Sequence, residues 1–303
     1  MTPIDRLEGV WNIVPTPFTD DGALDVGSLP GLTRFVAGRG VDGMTILGVL
    51  GEAAKLSDEE RRLVIGGVLA AAGDLPVCVG VSHAATDRSV AFAREAASMG
   101  AHSVMLAPPA LTRPNDPAVL AHYLAVAGAS ELPIVVQDHP ASSGVHMSVE
   151  LLATIADRAP ACRVVKLEDE PSPPKVGRLL AVAPNVRILG GLGASMLLEE
   201  LRRGAVGTMT GFGFPELLVD IVTRFRSGDE SGAQAAFFRI VPLIRFENQP
   251  GLNLAIRKHL YRRRGAMASA RVRAPGPSLD AGTIADLDAI LAALGLDDRV
   301  SPA

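Results

Sequence analysis

The chain has 303 residues, of which 48% are hydrophobic, so it can bury a large core as one domain or as a domain with an appendage. Its formal net charge of −4, without a basic stripe, argues against a nucleic-acid partner. There is no signal-peptide pattern, and no apolar run approaches the roughly 18 residues of a membrane span, so we expect no membrane partner. Two cysteines, Cys78 and Cys162, lie in apolar runs, which favours buried thiols and a cytoplasmic protein.

Short apolar runs alternate with amphipathic segments through residues 1–225. The alternation predicts eight strands with helices between them, such as a helix over Ser57–Ala72 that opens with a capping box. Eight repeated units favour a (β/α)8 TIM barrel over an open sheet. The predicted strands are Val10–Val14, Gly43–Leu47, Val77–Val81, Ser103–Ala107, Ile134–Gln137, Arg163–Leu167, Val186–Leu189 and Val206–Met209.

The pattern becomes purely helical after the last predicted strand and its helix. It predicts a C-terminal helical region over 226–303, appended to a barrel domain of residues 1–225. The helices expected in this region are Asp229–Phe246, Leu252–Arg263 and Ala281–Leu294.

Lys166 ends the sixth predicted strand and is one of only four lysines in a chain that otherwise uses arginine. An ammonium at the end of a buried strand loses hydration, which lowers the pKa of the amine and makes its neutral form accessible. A neutral lysine amine can attack a ketone and form a Schiff base. Because barrel enzymes carry their active sites where strands end, Lys166 is the predicted nucleophile.

Several segments resemble, in the same order, the dihydrodipicolinate synthase and N-acetylneuraminate lyase family of class I Schiff-base lyases. They are Val14-Pro15-Thr16-Pro17-Phe18, Gly48-Val49-Leu50-Gly51-Glu52 with the following Leu56-Ser57-Asp58-Glu59-Glu60-Arg61, and Leu189-Gly190-Gly191-Leu192-Gly193-Ala194. Lys166 falls where the Schiff-base lysine of the family falls. The resemblance implies a lyase, aldolase or dehydratase that acts on pyruvate or a related 2-oxo acid without a metal or other cofactor. It also implies a homo-oligomer, either a dimer or a tetramer.

The resemblance and the strand ends together give the candidate site. The predicted catalytic residues are Lys166, Gln137 and His139. The predicted substrate-binding residues are Gly48, Val49, Leu50, Gly51, Glu52, Gly190, Gly191 and Met209. For Glu52 a structural role, bonding loop amides, is the main alternative.

Several side chains that the family uses are replaced in this chain. The two threonines of the strand-two loop, which hold the keto acid carboxylate and relay a proton, are Val49 and Leu50 here. The tyrosine at the end of strand five is Gln137, and the tyrosine that a neighbouring subunit contributes is Leu111. The arginine that many members carry after the strand-five proline is Ser142. Apolar walls at Val49 and Leu50 would suit a more apolar keto acid or aldehyde.

The missing relay calls for another proton donor and acceptor. Alternation along strand five places His139 on the same side as Gln137, so His139 is the preferred replacement. A histidine that bonds a loop carbonyl is the alternative for this residue. The other candidates at strand ends are His83, Asp138, Glu168 and Asp169.

Two other functional interpretations stay open. A catalytically silent barrel that binds a small ligand or a partner would explain the loss of the relay, although a buried lysine costs several kcal/mol that such a barrel has no need to meet. A phosphosugar enzyme rests on the glycine-rich strand-seven loop alone. The remaining histidines show no ligand spacing, so we predict no metal site.

Overall fold

The computed structural model describes residues 3–111, 113 and 115–296. Over these residues, eight parallel strands follow one another around a closed barrel, and β8 pairs with β1. The predicted TIM barrel is confirmed, and each strand lies within one residue of its predicted bounds. The strands are β1 Gly9–Ile13, β2 Gly43–Ile46, β3 Val77–Gly80, β4 Ser103–Leu106, β5 Ile134–Asp138, β6 Val164–Leu167, β7 Arg187–Gly190 and β8 Gly207–Thr210.

Helices cover the outside of the barrel and continue beyond β8. The predicted capping box is present, because the Ser57 hydroxyl accepts from the Glu60 N–H and the Glu60 carboxylate accepts from the Ser57 N–H. Within the described residues, no helix has both the length and the apolar character to span a bilayer. The helices are α1 Leu29–Ala37, α2 Asp58–Ala71, α3 Thr86–Ser98, α4 Asp116–Ala127, α5 Pro140–Ser143, α6 Val149–Arg158, α7 Ser172–Val182, α8 Leu197–Arg202, α9 Pro215–Arg226, α10 Glu230–Glu247, α11 Asn253–Arg263 and α12 Ala281–Leu294.

Alternation along the strands sorts side chains into two cores. Inside the barrel, Trp11, Val135, Val164, Leu189 and Met209 belong to one buried apolar cluster. The residues between them on the strands, such as Val136 and Val165, pack outward against the helices in a second, larger cluster. Lys166 follows Val164 by two residues on β6, so its side chain belongs to the interior of the barrel.

The C-terminal helices extend the core of the barrel. Tyr261 of α11 is buried; its hydroxyl accepts from Asn12 Nδ2 at 2.7 Å and donates to the Phe212 carbonyl at 3.2 Å. Leu260 and Ile256 of the same helix join the outer core of the barrel. The division at residue 225 stays a prediction, and the residues on both sides of it share one packed core.

Candidate active site

Lys166 lies inside the barrel at the end of β6, and only 2% of it is exposed. Its Nζ is 2.9 Å from Glu168 Oε2. Burial alone does not single out this lysine, because Lys175 and Lys258 are 4% and 0% exposed. Lys166 differs from these two because it projects from a strand into the interior of the barrel. The carboxylate of Glu168 faces this amine inside the barrel.

Glu168, one of the other candidates at the strand ends, is the acidic residue that lies beside the Lys166 amine. Burial raises the pKa of this carboxyl, but the Lys166 ammonium, the nearby His139 and a hydrogen bond from Gln137 together hold it below its ordinary value. A charged carboxylate therefore sits beside the amine. The signal was available in the spacing, since residues two apart on a strand face the same side and Glu168 is two residues after Lys166.

Gly191 makes room for this carboxylate. A Cβ at Gly191 would stand 2.3 Å from Glu168 Cγ and 2.5 Å from Glu168 Oε1, closer than atoms can pack. The backbone N–H of Leu192, in the 3-10 turn Leu192–Ala194 after β7, donates to Glu168 Oε1 at 3.3 Å. A glycine-rich loop of this kind could suggest a phosphate site. Here its Leu192 N–H is bonded to the carboxylate of Glu168 instead.

Gln137 lies beside the Lys166–Glu168 ion pair, and its catalytic role stays a prediction. It pairs with Lys166 across β5 and β6, and its Nε2 donates to Glu168 Oε2 at 3.0 Å. The same glutamine lines the cleft at the mouth of the barrel. Gln137 therefore connects the cleft to the Lys166–Glu168 ion pair.

His139 lies close enough to Glu168 to help lower the pKa of that carboxyl. Its Nδ1 is buried and makes no hydrogen bond within the part of the chain that the structure describes, so the bond to a loop carbonyl is not seen there. Two other candidates for the acid and base face away from the barrel interior. Asp138 and Asp169 both bind Lys175, because each follows an inward-facing residue and therefore points outward.

The cleft lies at the carboxyl ends of β2 to β5 and has a volume of about 790 Å³. This size suits a small-molecule substrate. Val49 forms an apolar part of its rim, with 58% of the residue exposed. Polar side chains that line the cleft include Ser82, His83, Ser142 and Ser143.

The remaining predicted binding residues differ in their surroundings. Gly48, Val49 and Glu52 line the cleft. Gly51 packs against the backbone of Leu47, and Leu50 packs against the interior cluster, to which Met209 belongs. A Cβ on Gly190 would meet the Glu200 carboxylate. The substrate contacts of all these residues remain predictions.

Glu52 has both carboxylate oxygens engaged by the protein. Oε1 binds Lys258 of α11, whereas Oε2 lies 2.9 Å from Lys55 Nζ and accepts from the Arg273 N–H at 3.0 Å. These contacts tie the strand-two loop to the C-terminal region. They support the structural alternative for Glu52, and one of the contacts is with a loop amide, as that alternative supposed.

A second network orders the turn after β7. The guanidinium of Arg257, buried on α11, donates to Glu247 Oε2 at 3.2 Å and to Asn248 Oδ1 at 2.5 Å. The Asn248 amide donates to the carbonyls of Leu192 and Gly193 at 3.1 and 3.3 Å. The C-terminal helices therefore support the loop whose N–H binds Glu168.

Residues 6–294 match the model of the dihydrodipicolinate synthetase family. An L-2-keto-3-deoxyarabonate dehydratase of Azospirillum brasilense is 36% identical over 293 residues, which cover 94% of each chain. A 4-hydroxy-tetrahydrodipicolinate synthase of Methanothrix thermoacetophila is 30% identical over 244 residues, covering 79% of this chain and 81% of that one. The crystal structure of a dihydrodipicolinate synthase from Rhodopseudomonas palustris, 35% identical, superposes with a TM-score of 0.91 and covers 97% of this chain and 99% of that one.

These matches confirm the resemblance seen in the motifs, and none of them favours a catalytically silent barrel. The chain therefore belongs to the dihydrodipicolinate synthetase family and is one of its Schiff-base-forming lyases.

Proposed function

We propose that this enzyme removes water from a 2-keto-3-deoxy sugar acid through an imine on Lys166, with Glu168 as its acid and base. The observation that carries the proposal is the buried contact of 2.9 Å between Lys166 Nζ and Glu168 Oε2, with Gln137 bonded to the same oxygen. The dehydratase from Azospirillum brasilense, whose name gives a substrate of this class, matches along 94% of the chain.

The first step makes the imine. Glu168 takes a proton from the Lys166 ammonium, and the neutral amine attacks the C2 ketone. The resulting carbinolamine loses its hydroxyl as water, for which the protonated Glu168 supplies the proton. Gln137 holds the carboxyl group in place through the hydrogen bond from its Nε2.

The second step uses the imine as an electron sink. Glu168, again charged, removes a proton from C3, and the electron pair of that C–H bond moves toward the imine nitrogen to give an enamine. The electrons then return and expel the C4 hydroxyl, which leaves as water with the proton that Glu168 carries. Hydrolysis by another water molecule releases the product and restores the Lys166 amine.

The C1 carboxylate of the substrate needs donors other than the two lost threonine hydroxyls. In the turn after β2, the N–H groups of Gly51 and Glu52 already donate to Gly48 and Val49. We assign the carboxylate to the backbone N–H groups of Val49 and Leu50, which persist whatever the side chains are. The serines and His83 of the cleft are then the candidates for binding the hydroxylated tail.

Incubation with a panel of 2-oxo acids tests the reaction. The panel contains pyruvate, 2-keto-3-deoxy acids of five and six carbons, and more apolar keto acids, which the apolar side chains of Val49 and Leu50 would suit. Loss of 18 mass units from a 3-deoxy acid supports a dehydratase, whereas release of pyruvate identifies a carbon–carbon lyase and contradicts the proposal. Borohydride trapping with peptide mapping shows whether the adduct is on Lys166.

Two further properties are proposed on the same basis. We expect a homo-oligomer, as the family resemblance implies, and light scattering on the purified chain measures its mass. The cytoplasmic location expected from Cys78 and Cys162 also stays a prediction; both thiols are buried and free in the structure.

A further inference from the structure

Lys175 on α7 holds two carboxylates outside the barrel, behind the proposed catalytic residues. Its Nζ lies 2.6 Å from Asp138 Oδ2 and 2.8 Å from Asp169 Oδ2, and it donates to the Met147 carbonyl at 2.6 Å. The lysine is 4% exposed, so this ammonium is almost fully removed from water. Three oxygens satisfy its three N–H donors.

The two carboxylates belong to the residues that directly follow Gln137 and Glu168. Because side chains alternate along a strand, Gln137 and Glu168 point into the barrel while Asp138 and Asp169 point out of it. The Glu168 N–H also donates to the Asp138 carbonyl at 2.8 Å, which continues the pairing of β5 with β6. One ammonium therefore joins the outer sides of the two segments that carry Gln137 and Glu168.

The charges around this ammonium explain why it is needed. Burial, together with the negative charges of Asp169 and Glu168, raises the pKa of the Asp138 carboxyl to about 6 against the opposing effect of Lys175. Without a cation, these three carboxylates would repel one another across the β5–β6 pair. His146, whose Nδ1 is 3.4 Å from Asp169 and which is largely exposed, cannot replace the buried ammonium.

We propose that Lys175 is a positioning residue that sets the distance between Gln137 and Glu168 by binding Asp138 and Asp169 together. The proposal rests on the proposed function only for its effect on catalysis. Its structural content is independent of the substrate: the contact of 3.0 Å between Gln137 Nε2 and Glu168 Oε2 depends on Lys175.

The test compares Lys175→Met, Asp138→Ala and the control Arg187→Met. The control removes an ion pair with Glu8 at the opposite end of the barrel, where β7 begins. For each folded variant we would measure the melting temperature and the rate of borohydride-trapped imine formation at saturating pyruvate, well below melting. Crystal structures of Lys175→Met and Asp138→Ala give the distance from Gln137 Nε2 to Glu168 Oε2.

We expect imine formation to slow at least about tenfold in Lys175→Met and Asp138→Ala, since small displacements of positioned groups cost large factors in rate. Arg187→Met should lower the melting temperature and leave the rate unchanged. If Lys175→Met does not fold, Asp138→Ala provides the test. We expect this variant to fold because Lys175 keeps Asp169 as its partner. Wild-type imine rates and an intact Gln137–Glu168 contact in a folded variant would overturn the proposal.

The failure of the proposed function has a different signature. If the wild-type protein forms no adduct with any 2-oxo acid, the dehydratase proposal fails, and the crystal structures still test the positioning role of Lys175. In that case a broken Gln137–Glu168 contact in Lys175→Met or Asp138→Ala supports the positioning role, and a retained contact refutes it.

Discussion

Lys166 and Glu168 occupy alternate positions at the end of β6, and their side chains meet as an ion pair inside the barrel, 2.9 Å apart. Each group offsets the cost of burying the other. The same contact places a proton acceptor, the Glu168 carboxylate, beside the amine that is proposed to attack the substrate. Two residues with one residue between them therefore supply both the nucleophile and its base.

The first prediction concerns Glu168→Gln. The amide keeps the shape and can still bond Gln137, but it can no longer accept a proton from Lys166 or from C3. We expect turnover to fall by about 10²–10⁴-fold, the usual contribution of a positioned acid–base group. Steady-state kinetics checks this, with the exposed neighbour Glu170→Gln as a control of unchanged activity. Turnover within twofold of wild type would remove Glu168 from the mechanism.

The second prediction uses the space beside Glu168. A methyl group in Gly191→Ala would stand 2.3 Å from Glu168 Cγ and must displace that side chain. We expect turnover to fall by about tenfold or more and unfolding to become easier by about 1–3 kcal/mol. The measurements are steady-state kinetics and denaturant unfolding.

Gly66→Ala is the matched control for this substitution. Gly66 lies in α2, where an added Cβ comes no closer than 3.8 Å to its nearest neighbour, Met99. Alanine should stabilise this helix by about 0.5–1 kcal/mol and leave turnover unchanged. Full activity in Gly191→Ala would show that Glu168 does not need its observed position.

The third prediction concerns stability against pH. Glu200 is buried between Gly190 and Ser172, and burial raises the pKa of its carboxyl from 4.5 to about 8. The folded chain therefore binds this proton more tightly than the unfolded chain. The contribution of Glu200 to the unfolding free energy falls by at most about 5 kcal/mol as pH rises from about 4.5 to about 8. Above that range the contribution is constant.

Glu200→Gln should remove this contribution, because the amide does not titrate. Relative to wild type, the variant should gain stability steadily between pH 5 and pH 8 in denaturant unfolding. The difference between variant and wild type isolates Glu200 from the carboxyls of Asp138 and Glu247, whose pKa values are also raised by burial. Glu230→Gln, at an exposed ion pair with Arg202, serves as control. A difference that does not change with pH would contradict the prediction.

The sequence was sufficient for the barrel and for part of the site. Eight apolar runs with turn signals between them predict the strands to within one residue, because parallel strands buried on both faces read as short apolar runs. Alternation on β5 places Gln137 toward Lys166, as the structure has it. These features depend on local patterns, which a sequence contains directly.

The rest depends on contacts between distant residues. Glu168 fits beside Lys166 only because Gly191 has no side chain. Glu52 has a structural role because it binds Lys258, which lies 206 residues further along the chain. Alternation on β5 favours His139 as the acid and base, and the same alternation on β6 also favours Glu168. Nothing in the spacing of Lys175 showed that it would bind two aspartates from neighbouring strand ends.

The most direct measurement is mass analysis of the protein after incubation with pyruvate and borohydride, followed by peptide mapping. We predict one reduced pyruvate adduct per chain, located on Lys166, and its loss in Lys166→Met while the fold is retained. An adduct on Lys55, Lys175 or Lys258, or undiminished turnover by Lys166→Met, would contradict the account.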